Sequence, residues 1–219
     1  MDVRARLNEK AEESIMSDLK IKRNVKLSRY CWWRVGGDAD FLCEPRTNEE
    51  VREALEFASE NKLPATVIGG GSNILISDKG IRGLVLTTRK MVGMESYIEN
   101  NRFVVKTPAG TPKMLVMKAF LEQKLAPALF LSGIPGDVGG GVVMNAGVGE
   151  DITPREFCEI TDSIEVLRDG DVITIPKEEI KWRYRHSSGW KPGVILSVTM
   201  SWPLEPIEGL ESQVKDAQK

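Results

Sequence analysis

The chain has 219 residues, which is enough for a substantial hydrophobic core in one large or two small domains. Its 30 basic and 32 acidic residues give a formal net charge of −2, so composition gives no indication of nucleic-acid binding. Three scattered cysteines do not form a disulfide framework, and no apolar run is long enough to cross a bilayer, so we expect a cytoplasmic protein without membrane insertion. A single histidine, His186, leaves little from which to build a metal site or a Ser-His-Asp triad.

The first sixty residues predict helices around an aromatic stretch. Apolar side chains four apart predict an amphipathic helix over residues 1–20. Residues 27–42 are rich in aromatic residues and glycine and favour a buried strand followed by a turn, with a ligand-facing wall as the alternative. Thr47 with Glu50 three residues later is the capping signature of a helix start, and that helix is expected to end near Asn61.

Two short apolar runs flank three glycines between Thr66 and Ile76. Because glycine has no Cβ, such a loop can bring backbone N–H groups against a bulky anion, of which a pyrophosphate is the obvious example. Ser72 and Asn73 would add side-chain donors, and residues 74–76 are interpreted as a strand. The spacing is neither a Rossmann fingerprint nor a P-loop, and a plain tight turn in a hairpin is the alternative.

A second glycine-rich segment, residues 133–147, follows a predicted strand at 103–107 and a predicted helix with a methionine-rich face. Its side chains are otherwise largely apolar, which indicates a buried loop rather than a flexible linker. Two such loops about sixty residues apart suggest one extended ligand that is held from two sides.

The remainder of the chain predicts a β-hairpin, a polar cluster, a strand and a final helix. The hairpin spans residues 163–175 around an Asp-Gly pair, and the last strand covers residues 194–200. Residues 181–189 combine a tyrosine, two arginines, a histidine and two serines. The tail from Leu204 has the pattern of an amphipathic helix. This predicted helix lacks a C-cap, which favours a continuation into a further domain.

Four segments, in this order, resemble the UDP-N-acetylenolpyruvoylglucosamine reductase family: residues 33–40, 69–75, 133–147 and 184–187. The resemblance covers nearly the whole chain from about residue 20 to residue 205. It implies an α+β fold of the p-cresol methylhydroxylase (vanillyl-alcohol oxidase) type, in which two α+β subdomains hold non-covalent FAD between them.

The resemblance also implies a domain organisation. After the N-terminal helix of residues 1–20, the two FAD-binding subdomains would cover residues 21–95 and 96–203. Residues 204–219 would begin a helix that leads to a C-terminal substrate domain.

Site residues follow from the same resemblance, position by position. Arg185 resembles the family's catalytic arginine, and Tyr184 resembles a residue at the mouth of the substrate site. The positions that resemble the two cofactor-binding segments are Gly69, Gly70, Gly71, Ser72, Asn73, Gly133, Ile134, Pro135, Gly136, Gly139, Gly140, Asn145, Ala146 and Gly147. The family implies no metal ligand.

The implied activity is the NADPH-driven, FAD-dependent reduction of UDP-N-acetylglucosamine enolpyruvate to UDP-N-acetylmuramate in peptidoglycan precursor synthesis. A fixed guanidinium at Arg185 would stabilise the negative charge that develops on the carboxylate side of the enolpyruvyl ether. A structural ion pair is the alternative role for this arginine. The family's proton-donating serine and its C-terminal glutamate have no counterpart here, because Ser187 and Ser188 belong to a different motif.

Two other functions stay open at this stage. An FAD oxidase or dehydrogenase of the same fold could act on another hydroxy acid or sugar, although no histidine or cysteine lies near the glycine loop for covalent flavin attachment. A shortened, non-catalytic flavin-binding paralogue is the second alternative. The sequence leaves open whether the chain is truncated or naturally short, and it does not indicate an oligomeric state.

Overall fold

The computed structural model describes residues 19–149 and 151–217. The helix predicted over residues 1–20 therefore lies outside the described residues, apart from its last two positions. Across the described ranges, no helix combines the length and the apolar character that a membrane span requires.

The first half of the chain builds a four-stranded sheet in the order β1-β2-β4-β3. Strand β1 (Ile21–Lys26) pairs antiparallel with β2 (Asp38–Cys43). Strand β4 (Ile81–Thr87) runs parallel to both β2 and β3 (Ala65–Ile68). Helix α1 (Asn48–Glu60) makes the crossover from β2 to β3, the two strands that lie on either side of β4.

The predicted start of α1 is confirmed. Thr47 Oγ1 accepts a hydrogen bond from the backbone N–H of Glu50 at 3.2 Å. The Glu50 carboxylate reaches back one residue further than a standard capping box and accepts from the N–H of Arg46 at 2.5 Å. The buried residues of this helix are three and four positions apart and so share one face: Val51, Ala54 and Ala58.

The second half builds a five-stranded antiparallel sheet in the order β5-β6-β11-β7-β8. Its strands are β5 (Glu95–Glu99), β6 (Arg102–Pro108), β7 (Thr161–Arg168), β8 (Asp171–Pro176) and β11 (Val194–Pro203). The predicted hairpin is β7-β8, and its last pair joins Arg168 to Asp171 around the Asp-Gly turn.

Five helices accompany this sheet: α2 (Lys113–Glu122), α3 (Pro127–Ser132), α4 (Val138–Val143), α5 (Phe157–Ile160) and α6 (Leu210–Ala217). Their buried apolar side chains share one core with β6, β7 and β11. A separate two-stranded hairpin, β9 (Lys181–Arg183) with β10 (His186–Ser188), carries the polar cluster.

The two sheets meet through a shared hydrophobic cluster. Leu167, Val194 and Leu196 of the second sheet pack in the same cluster as the sheet and helix residues of the first half. Burial of these side chains fixes one half of the molecule against the other.

Three sequence predictions were wrong, the first two because tertiary contacts decide the conformation of the segment and the third because of helix-breaking residues within it. Trp32 and Trp33 are 70% and 68% exposed and follow a 3₁₀ turn at Leu27–Tyr30. The buried strand of this stretch is β2, which comes after the turn and not before it. Residues 74–76 pair with no strand among the described residues. The final helix begins at Leu210 and not at Leu204, because Pro206 and Gly209 disfavour helix in between.

The second glycine-rich segment is buried as predicted, but it is not a continuous loop. It contains helix α4, and the segment begins at Gly133, which caps the end of α3. The helix predicted before it is confirmed as α2, in which Met114 and Leu115 are exposed and Met117 is buried.

Candidate functional site

A cavity of about 750 Å³ lies between the two sheets, within the range typical of small-molecule sites. Residues 65–74 form one wall, and parts of the segment 134–147 form another. Residues 190–195, which lead into β11, complete the lining. The structure thus brings the two glycine segments of the sequence to one space.

The parallel strands explain why one wall is rich in loop backbone. Ile68 at the end of β3 is paired with Thr87 at the end of β4, so both strands finish at the same edge of the sheet. The glycine loop follows β3, and Thr88 follows β4. Ligands of open α/β sheets commonly bind at the carboxyl ends of parallel strands.

The glycine loop is held in place by neighbouring backbone and by one arginine. Gly71 adopts a positive φ of 72°, and a Cβ on it would lie 2.0 Å from the carbonyl oxygen of Tyr30, so only glycine fits. The N–H of Trp32 donates to the Gly71 carbonyl at 2.9 Å. Arg89 Nη2 donates to the carbonyls of Gly70 at 2.6 Å and Tyr30 at 3.2 Å. These contacts make the loop a preformed surface.

Helix α4 forms the facing wall. The N–H of Gly139 donates to the Ala109 carbonyl at 2.8 Å, and a Cβ on Gly139 would lie 2.8 Å from Ala109 Cβ. Glycine therefore lets α4 approach the end of β6 closely. The next residue, Gly140, lines the cavity, and a Cβ there would meet no protein atom within 4 Å.

Arg185 lies at the turn of the β9-β10 hairpin and contributes to the cavity lining. Its φ is 53°, and its guanidinium lies over the ring of Tyr184, 4.9 Å from the centroid. No carboxylate of residues 19–149 or 151–217 lies within ion-pair distance of it. The described part of the chain therefore gives no support to the structural ion pair that the sequence left open for Arg185.

Two hydrogen bonds fasten this hairpin to the glycine-rich segment. Ser187 Oγ donates to the Val143 carbonyl at 3.3 Å, and Trp190 Nε1 donates to Ser187 Oγ at 3.0 Å. Ser187 is buried, so these bonds are shielded from water. They hold the hairpin turn, and with it Arg185, beside α4.

Two charged residues in the cavity wall were missed by sequence reasoning. Lys113 is only 4% exposed, and its Nζ donates to the Pro135 carbonyl at 2.6 Å. Asp137 is 8% exposed, and its Oδ2 has no hydrogen-bond partner among the described residues. A signal was available, because Asp137 is the one charged residue within residues 133–147.

Burial shifts both groups toward their neutral forms. It lowers the pKa of the Lys113 ammonium to about 8, against the opposing effect of the Asp137 carboxylate. It also raises the pKa of Asp137, while the charges of Arg89 and Lys113 and the amide of Gly70 act in the opposite direction. Perturbed groups in a cleft are typical of functional sites.

The cavity brings together most of the sequence-predicted site residues. Those that line it are Gly69, Gly70, Gly71, Ser72, Asn73, Ile134, Pro135, Gly139, Gly140, Ala146, Gly147 and Arg185. Four other predicted positions do not contribute to the lining: Gly133, Gly136, Asn145 and Tyr184.

Asn145 in particular is occupied by protein contacts. Its Nδ2 donates to Glu156 Oε2 at 2.9 Å and to the Arg183 carbonyl at 3.1 Å, and its Oδ1 accepts from the N–H of Cys158 at 3.0 Å. With every bond made inside the protein, this amide shapes the wall rather than facing a ligand.

The chemistry of the lining fits an anionic dinucleotide. Its charged residues are three bases, Lys113, Arg185 and Lys191, and one acid, Asp137. Apolar side chains of both walls offer surfaces for flat rings. No histidine or cysteine is among the described lining residues, so the site as described has no side chain of the kinds used for covalent flavin attachment.

Comparison with known proteins identifies relatives of this site. The family described as FAD binding domain matches residues 39–175. The chain is 33% identical to a UDP-N-acetylenolpyruvoylglucosamine reductase of Clostridium novyi over 209 residues, which is 94% of this chain and 66% of the relative. It is 36% identical to that of Moorella thermoacetica, covering 90% of this chain and 63% of the relative. The chain thus spans somewhat less than two thirds of the curated relatives it matches.

Solved structures give the same result for the fold. The crystal structure of UDP-N-acetylenolpyruvylglucosamine reductase from Thermus caldophilus superposes with a TM-score of 0.70 at 27% identity, covering 91% of this chain and 68% of that one. Cholesterol oxidase from Brevibacterium sterolicum gives a TM-score of 0.62 at 14% identity, covering 87% of this chain and 39% of that one, a likeness of fold alone. The expected α+β fold of the p-cresol methylhydroxylase type is confirmed.

Proposed function

Because this chain belongs to the family of FAD-binding domains, we propose that it is the FAD-binding portion of a UDP-N-acetylenolpyruvoylglucosamine reductase. The whole protein would reduce UDP-N-acetylglucosamine enolpyruvate to UDP-N-acetylmuramate with NADPH, in the cytoplasm, during peptidoglycan precursor synthesis. The observation that carries this proposal is one cavity lined by both glycine segments and by Arg185.

The two walls have different tasks in this proposal. The loop of residues 69–73 is the surface for the pyrophosphate, because its backbone is fixed by Arg89 and carries the hydroxyl of Ser72 and the amide of Asn73. The facing segment, from Ile134 to Gly147, offers apolar surface and exposed glycine backbone to the rings. In this proposal the subdomain of residues 21–95 contains the four-stranded sheet, and the subdomain of residues 96–203 contains all but the first residue of the five-stranded sheet.

Bound FAD supplies the hydride-transfer chemistry that links NADPH to the substrate. Arg185 acts on the substrate side: its guanidinium binds the enolpyruvyl carboxylate and stabilises the charge that accumulates there. The hydrogen bonds of Ser187 hold the hairpin turn, and with it Arg185, beside the cavity before the substrate arrives. Tyr184, whose ring lies against the guanidinium, is the proposed residue at the mouth of the site.

A spectroscopic titration tests the proposal in two stages. We expect the purified chain to bind one FAD with an oxidised-flavin spectrum, and a colourless protein that does not take up added FAD would contradict the proposal. In a reductase that contains this chain, anaerobic NADPH then bleaches the bound flavin, and the enolpyruvyl ether restores its colour. UDP-N-acetylglucosamine, which lacks the enolpyruvyl group, is the matched control and leaves the flavin bleached.

A further inference from the structure

Asp137 places a buried carboxylate against the glycine loop. Its Oδ1 lies 2.8 Å from the position that a Cβ on Gly70 would take, and its Oδ2 lies 3.5 Å from the equivalent position on Gly69. Oδ2 is fully buried and without a hydrogen-bond partner in the described ranges. A buried carboxylate oxygen left in this state is energetically costly.

The cations around Asp137 do not neutralise it by direct contact. Arg89, from the turn after β4, and Lys113, from the first position of α2, are the charged groups that act on it. Neither forms an ion pair within 4 Å among the described residues. Both donate to backbone carbonyls instead, Arg89 to Gly70 and Lys113 to Pro135. Helix α4, which Asp137 precedes, carries no titratable side chain.

Asp137 lines the same cavity as the glycine loop, so a pyrophosphate on residues 69–71 would lie close to this carboxylate. Two anions that share a poorly solvated site repel each other strongly. A neutral carboxyl group removes that repulsion, and its hydroxyl can donate a hydrogen bond where the carboxylate could only accept one.

We propose that Asp137 couples FAD binding to the uptake of one proton. When the pyrophosphate binds to the loop of residues 69–71, Oδ2 of the carboxylate is protonated by a proton from solvent. This inference rests on the proposed function, because it assumes that the loop receives the pyrophosphate. It makes Asp137 a positioning residue that sets the pH range in which the cofactor is retained.

The sign of the pH dependence follows from linkage. A bound pyrophosphate raises the pKa of Asp137 above its value in the cofactor-free protein, where burial has already raised it. Between those two pKa values, FAD affinity falls by up to about tenfold for each unit of increasing pH. Lys113 loses its charge near pH 8, which would lower FAD affinity further at alkaline pH.

Calorimetric titration of the FAD-stripped chain with FAD tests this coupling. Measurements in buffers of different ionisation enthalpy, between about pH 5 and pH 8, give the number of protons taken up. For the wild-type chain we expect uptake approaching one proton at the steepest point. Asp137→Asn, which keeps the shape and the preference for the position before a helix, binds FAD without this uptake and more tightly than wild type at pH 8.

Two further variants keep the test decisive. Asp137→Ser gives the same comparison with a smaller side chain if the Asn variant does not fold, as judged by circular dichroism. Lys113→Met removes a cation that favours the ionised carboxylate, so it moves the proton-linked step to higher pH instead of abolishing it.

The outcomes separate this inference from the proposed function. Wild-type chain that binds FAD with no proton uptake at any pH overturns the coupling and leaves the FAD site intact. An Asp137→Asn variant that keeps the wild-type uptake overturns it as well. A chain that binds no FAD at any pH refutes the proposed function itself.

Discussion

Gly140 is the residue that best separates an effect on the ligand from an effect on the fold. Its Cβ position is open and it lines the cavity, whereas a Cβ on Gly70 would meet the Asp137 carboxylate. A side chain at Gly70 would therefore disturb the protein itself, and not only the space for the ligand.

We expect Gly140→Leu to lower FAD affinity at least tenfold while leaving the thermal midpoint unchanged or raised, because leucine favours helix over glycine by roughly 0.5–1 kcal/mol. FAD titration and thermal melts measure the two effects. Gly149→Leu is the control, since Gly149 also has open space around its Cβ position but does not line the cavity. Unchanged affinity in Gly140→Leu would mean that FAD binds elsewhere.

The proposed role of Arg185 is tested by separating the two half-reactions. In a reductase that contains this chain, Arg185→Ala slows reduction of the enolpyruvyl ether by about 10²-fold or more, because the developing charge loses its fixed guanidinium. Bleaching of the flavin by NADPH is affected far less, and Arg185→Lys recovers part of the lost rate. Rapid-mixing kinetics measure the half-reactions separately; equal losses in both would assign the arginine to structure.

Burial of Lys113 predicts that the stability of the chain depends on pH. Its pKa is about 8 in the folded protein against 10.5 for an unperturbed lysine, so the unfolded chain binds more protons between these values. The wild-type chain therefore gains stability relative to Lys113→Met as pH rises from 7 to about 10, by roughly 3 kcal/mol at most. Denaturant unfolding at several pH values measures the difference, and a constant difference would show that Lys113 is not buried as a charged group.

The glycines and Arg185 could be picked out from the sequence because their residue types in a recognisable order carry the signal. Asp137 is marked only as the one charged residue of its segment, and Lys113 carries no such mark. Their burial arises when α2 and the segment before α4 meet, through the Lys113 N–H to Gly136 carbonyl bond and the Pro112-Asp137 bridge. Contacts between segments so far apart leave no local pattern.

Asn145 joins three elements at the back of the cavity, namely the end of α4, the start of α5 and the β9-β10 hairpin. Asn145→Ala removes three hydrogen bonds and leaves the N–H of Cys158 without its acceptor, so we expect a loss of roughly 2–4 kcal/mol of stability. Asn145→Asp keeps the acceptor for Cys158 but sets a carboxylate against Glu156 Oε2 and the Arg183 carbonyl, so we expect it to be at least as destabilising near neutral pH. Urea unfolding measures both; an Ala variant as stable as wild type would contradict this structural role.

Secondary-structure elements that a short local motif determines were predictable from the sequence. The Thr47 cap and the Asp169-Gly170 turn fix α1 and the β7-β8 hairpin locally, and both are confirmed. Residues 74–76 have the composition of a strand, but their backbone finds no partner strand in the described ranges. The backbone just after them bonds to a loop instead, through the N–H of Gly37 to the Ser77 carbonyl. Strand formation depends on a neighbour that the sequence does not show.

At the scale of the whole molecule, the cavity lies where the two sheets meet, so a bound ligand contacts both halves at once. A ligand that binds only the folded state stabilises it by RT ln(1 + [L]/Kd), or about 2.7 kcal/mol at a hundredfold excess over Kd. We therefore expect FAD to raise the thermal midpoint in a concentration-dependent manner, as measured by differential scanning calorimetry. AMP, which lacks the flavin half, is the control and raises the midpoint less.

In the proposed function, two glycine segments far apart in the chain close on opposite sides of one dinucleotide. A crystal structure of the chain with FAD would show whether they do. We expect the pyrophosphate against residues 69–73 and the rest of the cofactor along the wall from Ile134 to Gly147, with Arg185 at the edge of the occupied cavity. FAD bound outside this cavity, or in contact with one glycine segment only, would contradict it.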